Sequence, residues 1–281
     1  MTSNLEQYVR QAKNGDRQAL EEVICHIQGK IYGLALRMLG NPEDAEDEAQ
    51  EILIKVITHL SDFREESAFT SWVYRVACNH LLRARKRRHE REGLTFDFLE
   101  DLISSEAGNT YPLTVSGPER AVMLEEARLG CLQTVLTCLD KKFRIVLILA
   151  DIFGFTSAEG SYILDMTPEA FRKRLSRGRE RIHHFMVRHC GLVNKNNACR
   201  CEKKAGTDLH RGLMDPQKSA LAEREEAAKI RTQAVAHLKE LSEIERTTAL
   251  FRNYPKYRSP ESFKNIVKDL VDSGKYRVFM A

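Results

Sequence analysis

The sequence lacks the marks of a membrane, secreted or β-rich protein. Its longest apolar run, Ile145 to Ala150, falls far short of the ~18 residues that a membrane-spanning helix needs. The first residues, Met1 to Gln11, are polar and charged, with no apolar leader segment. There are seven cysteines, an odd number, which argues against a disulfide framework and for a reducing compartment. No stretch alternates apolar and polar residues with a period of two, so half-buried strands are not expected. Neither sign of charge dominates: the net charge is +4, so any argument for a nucleic-acid partner must come from where the charges lie. These absences predict a soluble, cytoplasmic, all-α protein.

What is present reads with a helical period almost throughout. A chain of 281 residues suggests about two domains, and four segments can be separated. Residues 1–92 form a first helical domain. There, Asn41-Pro42-Glu43-Asp44 supplies an N-cap, a proline at the first helical position and acids in the first turn. Ser67 or Thr70 is the expected cap of a later helix, in which Phe69, Trp72, Val73, Val76 and Ala77 share one face. Residues 93–116 contain acids, Gly108, Asn109, Pro112 and Ser116 without sustained periodicity, and read as a flexible linker. Residues 117–187 form a second helical domain, with a helix buried on most sides around Phe143–Ala150, Gly154 as its stop and Asp140 as its cap. Residues 188–281 form a Cys- and Asn-rich connector, a long charged helix over about 216–253 and a short last helix after Ser259-Pro260-Glu261.

In the second domain, a short helix, a tight turn at Asp165-Met166 and a basic helix opened by Thr167-Pro168-Glu169 have the form of a DNA-binding helix-turn-helix. Phe171, Leu175 and Ile182, with Gly178 between them, should face the core. Arg172, Lys173, Ser176, Arg177 and Arg179 form the opposite, basic face suited to a major groove. A solvated cationic face on an ordinary bundle is the plainer alternative. The segment 63–88 combines Phe63, Phe69, Trp72 and Tyr74 with Arg64, Arg75, Arg83, Arg85, Lys86, Arg87 and Arg88. Cations that neutralise phosphates, beside groups that hold unstacked bases, are what capture of one opened DNA strand requires. The spacing of Phe69 and Trp72 marks them as core, so the exposed candidates are the 63–67 loop and Asn79. The acids Glu43 to Glu51 crowd one helix with no nearby His or Gly-rich loop, which favours a protein-docking face over catalysis.

Gly40-Asn-Pro-Glu-Asp-Ala-Glu-Asp-Glu-Ala-Gln-Glu51, Phe69-Thr-Ser-Trp72 and Ala77-Cys-Asn79 resemble region two of extracytoplasmic-function sigma factors. The stretch from Leu139-Asp140 to Phe185, with Lys173-Arg-Leu-Ser-Arg-Gly-Arg179, resembles their region four. The resemblance implies a transcription-initiation subunit and not an enzyme. Two helical domains would be joined by a flexible linker that threads through core RNA polymerase. Asp44, Glu46, Asp47 and Gln50 would dock on the polymerase clamp helices, and region four on the flap. Phe63, Arg64, Ser67 and Asn79 would hold a base flipped from the minus-ten element, Trp72 would buttress that loop, and Arg83, Arg85, Lys86, Arg87 and Arg88 would grip phosphates. Arg172, Lys173, Ser176, Arg177 and Arg179 would read the minus-thirty-five element. An anti-sigma factor is a further candidate partner; no membrane and no required cofactor are implied.

Two residues depart from the family pattern. Gly160 replaces a buried aliphatic and, as a helical glycine, is expected to weaken the module by roughly 1 kcal/mol. Asp165 stands at the usual turn glycine and must adopt a left-handed conformation. The residues after 187 form a helical C-terminal extension. In it His189, Cys190, Cys199 and Cys201 are a candidate Zn²⁺ ligand set, with a thiol redox switch or inert cysteines as alternatives. A stand-alone regulator that binds duplex DNA through the same helix-turn-helix is the competing function.

Overall fold

The computed structural model describes residues 2–84, 94–106, 111–214, 242–252, 260 and 263. Eleven α-helices run through them: α1 Thr2–Lys13, α2 Arg17–Leu39, α3 Pro42–Thr58, α4 Phe69–Arg83, α5 Phe96–Glu106, α6 Gly117–Thr137, α7 Lys141–Leu147, α8 Ser157–Ile163, α9 Pro168–His189, α10 Cys201–His210 and α11 Glu243–Arg252. Among the described residues there is no strand, only an isolated bridge between Cys190 and Cys199. No described helix is long and apolar enough to cross a membrane.

Two compact units emerge, and they do not coincide with the segments of the sequence. One contains residues 1–85, 155–172 and 255–281; the other contains 86–154 and 173–254. In the first, α2, α3 and α4 bury Ile27, Ile31, Leu34, Ile52, Leu53, Val56, Ala77 and Leu81 against one another. The break between α2 and α3 is made by adjacent residues. Gly40 ends α2 in a left-handed conformation, its N–H bonding Leu36 O at 2.8 Å. Asn41 Oδ1 then accepts from Asp44 N at 2.9 Å, with Pro42 in the first turn, as expected. Neither Ser67 nor Thr70 caps α4. Ala68 stands at the N-cap without a side-chain bond, because Ser67 Oγ donates instead to Tyr162 Oη at 2.9 Å.

The α3–α4 seam holds a polar chain that runs from an exposed lysine to a buried carboxylate. His80 Nδ1 accepts from Lys55 Nζ at 2.5 Å, and His80 Nε2 donates to Glu48. Glu48 and His80 are each buried, so the carboxylate that the sequence placed on the acidic surface is instead a fastening inside the bundle.

In the first unit α8 starts on a capping box between Thr156 and Glu159. Asp165, at φ +52°, makes the left-handed turn residue into α9, as expected. Gly160 reverses the expectation of weakness. A Cβ there would stand 2.3 Å from Phe171 Cε2, and Phe171 is fully buried, so the absent side chain makes room for that ring.

In the second unit, α7 is buried around Phe143 and Ile145–Leu149, then passes into a π turn over Ile148–Ile152. Arg144 satisfies the end of α6 by donating to Thr137 O and Leu139 O at 2.5 and 2.8 Å. Asp140 sits at the N-cap of α7 but does not cap it; its carboxylate pairs with Arg181 at 3.0 Å. Asp151, buried in the π turn, accepts from Arg179 Nε and Nη2 at 3.0 and 2.5 Å.

The linker contains a helix where none was expected. Thr95 caps α5 through Phe98 N at 3.1 Å, Leu99 is buried, and Phe96 lies 5.2 Å from Phe185. The apolar residues Phe96, Leu99 and Ile103 span only two turns, too short a stripe for periodicity to stand out. Leu113 then joins Met123, Ala127 and Ala205 in a small core between α6 and α10. In the extension, Ser242 and Glu245 form a reciprocal cap at the start of α11. The expected helix over 216–253 is thus seen only from Glu243, residues 215–241 lying outside the described ones. Of the last expected helix only Pro260 and Phe263 are described; Phe263 is buried edge-on to Tyr32 in the first unit.

Gly160→Ala is expected to destabilise the protein by about 1–3 kcal/mol through overpacking, although alanine is the better helix former. Urea denaturation of the full chain would show it, and Phe171→Leu in the same background should recover part of the loss. Arg179→Ala leaves Asp151 buried without its partner. Because the arginine is itself 41% exposed, a loss of about 1–3 kcal/mol in the same measurement is expected.

Candidate nucleic-acid interface

The basic helix α9 is fixed by its rear face. Phe171 and Ile182 are buried, and Gly178 is buried with its Cα side close to Phe143. Thr167 Oγ1 caps the helix at Ala170 N, 3.2 Å away. With that face occupied, Arg172, Lys173, Arg174, Ser176 and Arg177 are all exposed along its first turns. Arg179 does not belong with them. Its guanidinium is held by the Asp151 carboxylate, whose hydrogen bonds push the Arg179 pKa up. A bidentate pair to a buried acid occupies the donors that a base edge would need. Arg174, passed over in the sequence, is exposed on the same stretch; the run Arg172-Lys173-Arg174 was the available signal.

The second surface is the loop after α3 together with α4. Phe63 is not available to a base. It is buried, with its ring 5.2 Å from Phe69 and 5.6 Å from Trp72, and Trp72 in turn stacks on Phe69 at 5.7 Å. Trp72 therefore buttresses the loop, as the resemblance implied, and Phe63 does so too. An alternation argument could not place Phe63, since it lies in a turn outside any helical stripe.

Helix α1 holds the loop from below. Lys13 Nζ donates to Phe63 O at 2.7 Å, and Arg10 pairs with Glu65 at 2.9 Å. The hydrogen bond from Arg10 lowers the Glu65 carboxyl pKa. Glu65 takes a left-handed φ of +59° at the crest. Arg64 and Glu66 are exposed, and Ser67 is half-buried.

On α4, Arg75, Asn79 and Arg83 follow one another at intervals of four and so lie on one stripe. Asn79 is half-buried and Arg83 exposed. Arg75 is engaged within the same unit, donating to Tyr162 O at 3.2 Å and to Asp165 Oδ1 at 3.1 Å. Arg85, Lys86, Arg87 and Arg88 lie outside the described residues.

On α3, Asp47 is exposed, Asp44 and Glu46 are half-buried near the start of the helix, and Gln50 is half-buried at its middle. Glu48 leaves this group for His80. Of the proposed metal ligands, Cys190, Cys199 and Cys201 line a cavity of about 490 Å³ together with His189 and with Cys131 of α6, which the sequence had not grouped with them. Among the described residues no group of three or more His, Cys, Asp and Glu side chains is placed to hold a metal ion.

Residues 24–91 match the family Sigma-70 region 2, and residues 129–182 match Sigma-70, region 4. The chain is 31% identical over 181 residues to the RNA polymerase sigma-H factor of Pseudomonas aeruginosa, covering 63% of this chain and 91% of that protein. It is also 31% identical over 185 residues to the ECF RNA polymerase sigma factor SigW of Bacillus subtilis, covering 64% of this chain and 95% of that protein. A solved complex of the sigma factor RpoE with the anti-sigma factor NepR from Bartonella quintana aligns with 18% identity and a TM-score of 0.42, over 59% of this chain and 94% of that one. The two family matches and the two sequence relatives agree: the chain belongs to the extracytoplasmic-function RNA polymerase sigma factors, non-enzymatic initiation factors that direct RNA polymerase to promoters.

Proposed function

We propose that α9 reads the minus-thirty-five element and that the 63–67 loop with α4 captures an unpaired base of the minus-ten element. The observation that carries this is the sorting of cations on α9. Five polar residues from Arg172 to Arg177 reach solvent at the start of the helix, while the half-exposed Arg179 has its guanidinium held by Asp151. The first turns of a recognition helix are those nearest the base edges, and arginine there can bond guanine bidentately.

At the minus-ten element the work divides differently from the sequence expectation. Phe63 and Trp72 form the wall, and Asn79 supplies polar contacts to a flipped base. Arg64 and Arg83, followed by the basic run to Arg88, neutralise phosphates. Ser67 and Arg75 contact DNA only after exchanging their bonds to Tyr162 and Asp165. Asp44, Glu46, Asp47 and Gln50 dock on the clamp helices of core polymerase, and region four on its flap. An anti-sigma factor would compete for these faces.

Run-off transcription with core polymerase, with and without this chain, tests the whole reading. Start-site choice is expected only in its presence, whereas tight footprinting by the chain alone would favour a stand-alone regulator. Asn79→Ala is expected to reduce strand opening, read by permanganate reactivity and abortive products, more than it reduces polymerase binding in a gel shift. Equal loss of both would remove Asn79 from base capture. Arg177→Ala is expected to cost about 1–3 kcal/mol in promoter affinity and to relax preference within the upstream element. An unaltered preference would assign Arg177 to phosphate.

A further inference from the structure

Within the first unit, α8 and the turn that follows it pack along α4, on the surface assigned above to the minus-ten element. Ser67 Oγ donates to Tyr162 Oη at 2.9 Å. Arg75 donates to Tyr162 O at 3.2 Å and to Asp165 Oδ1 at 3.1 Å, and its guanidinium carbon stands 5.2 Å from the centre of the Tyr162 ring. Beside these polar contacts, Tyr74 is buried with its ring edge-on to Phe155 at 5.0 Å. Ser67 belongs to the loop that would hold a flipped base, and Asn79 lies one turn beyond Arg75 on α4.

We propose that this contact is a latch: α8, through Tyr162 and Asp165, competes with the opened DNA strand for the 63–67 loop and α4, and the strand is captured only when α8 leaves them. The latch rests on the minus-ten reading and adds a means of regulating it.

The occupant resembles its competitor in chemistry. Tyr162 offers Arg75 an aromatic face and a carbonyl oxygen, and Asp165 offers it an anionic oxygen. A nucleotide offers the same groups, a flat ring on which a guanidinium can stack and phosphate oxygens that it can bond. The contact is also of a strength that can be exchanged. The side chain of Asp165 is 79% exposed and that of Arg75 33%, so their ion pair is weak and open to screening by salt. Tyr162 is itself 38% exposed. Tyr74 against Phe155 is the apolar anchor. A ligand that binds only the open form then draws the equilibrium toward it. The basic start of α9 takes no part: Arg172, Lys173, Ser176 and Arg177 stay exposed while α8 lies on α4. The latch therefore shuts the downstream surface and leaves the upstream one open. No local pattern in the sequence could reveal it, because nearly a hundred residues separate Ser67 from Tyr162.

Tyr162→Phe removes one hydrogen bond from the latch. Asp165→Asn removes the charge of the ion pair, and asparagine still accepts the left-handed turn. Neither residue belongs to the DNA-reading set. In the full chain, hydrogen exchange mapped by mass spectrometry is expected to rise at residues 63–67 in both variants. Affinity for a labelled DNA single strand of random sequence, read by fluorescence anisotropy, is expected to rise about fivefold in Tyr162→Phe, since apparent affinity scales with the open fraction. The gain should be smaller in Asp165→Asn, whose exposed pair is weaker. Asn79→Ala added to Tyr162→Phe should remove much of the gain. Unchanged exchange at 63–67 in both variants overturns the latch, and so does raised exchange without a gain in strand affinity, even where Asn79→Ala weakens strand binding and the minus-ten reading stands. Should Asn79→Ala leave strand binding unaltered with Tyr162 present or replaced, the minus-ten reading itself falls, and the latch with it. Either latch variant decides alone if the other does not fold.

Discussion

The fold and its DNA-reading surface both depend on how α9 is held from behind. A helix presents basic residues in a fixed direction only if its opposite face cannot roll. Here three contacts prevent rolling. Phe171 fills the space that Gly160 vacates, Gly178 is buried beside Phe143, and Arg179 grips Asp151 with two hydrogen bonds. The first is a shape constraint, sensitive to a single methyl group, because a close-packed interior has no slack to absorb it. The third is electrostatic and buries one carboxylate, so its loss costs more than its formation gains. The arginine that looks most like part of the reading face is thus the one that keeps that face pointed outward.

The same logic applies to the first unit. Contiguous acids on α3 and a basic, aromatic α4 look like two surfaces, yet each gives up a member to the seam between them. Glu48 leaves the acidic group to accept from His80, and Lys55 closes the chain at His80 Nδ1. A carboxylate this deeply buried is tolerated only with a donor of good geometry. The remaining acids, near the solvent-facing start of α3, stay where a partner can reach them. Phe63 behaves in parallel among the apolar groups: its ring completes the Phe69–Trp72 cluster, which stiffens the loop that carries Arg64 and Ser67.

Much of this was legible in the sequence because helices announce themselves locally. Asn41-Pro42, Thr167-Pro168 and the left-handed Asp165 are short-range signals whose physics involves neighbouring residues only, and the structure has them as read. Periodicity likewise placed Phe171, Leu175 and Ile182 on the inner face. The misreadings all involve partners distant in the chain. Arg179 needs Asp151, Glu48 needs His80, and Ser67 is drawn from capping by Tyr162; no local pattern encodes these choices. Gly160 was read as a defect because propensity counts a glycine against a helix, whereas the space it leaves is decided by Phe171 across the turn. Helix α5 was missed for the complementary reason: a stripe of two turns becomes significant only when Phe185 supplies the surface it packs on.

The C-terminal extension raises a question of stability rather than recognition. Between Cys190 and His210 the fully buried apolar side chains are few, Val193 and Ala205 among them, while fixing each backbone residue costs roughly 1–2 kcal/mol. Hydrogen bonds from Asn197, and from Arg200 Nη2 to Lys195 O at 2.9 Å, satisfy backbone groups, but their net contribution is about 1 kcal/mol each. The connector and α10 are held by packing on α6, where Ala205 joins Leu113, Met123 and Ala127, and by Asn197, which ties the connector back to the end of α9.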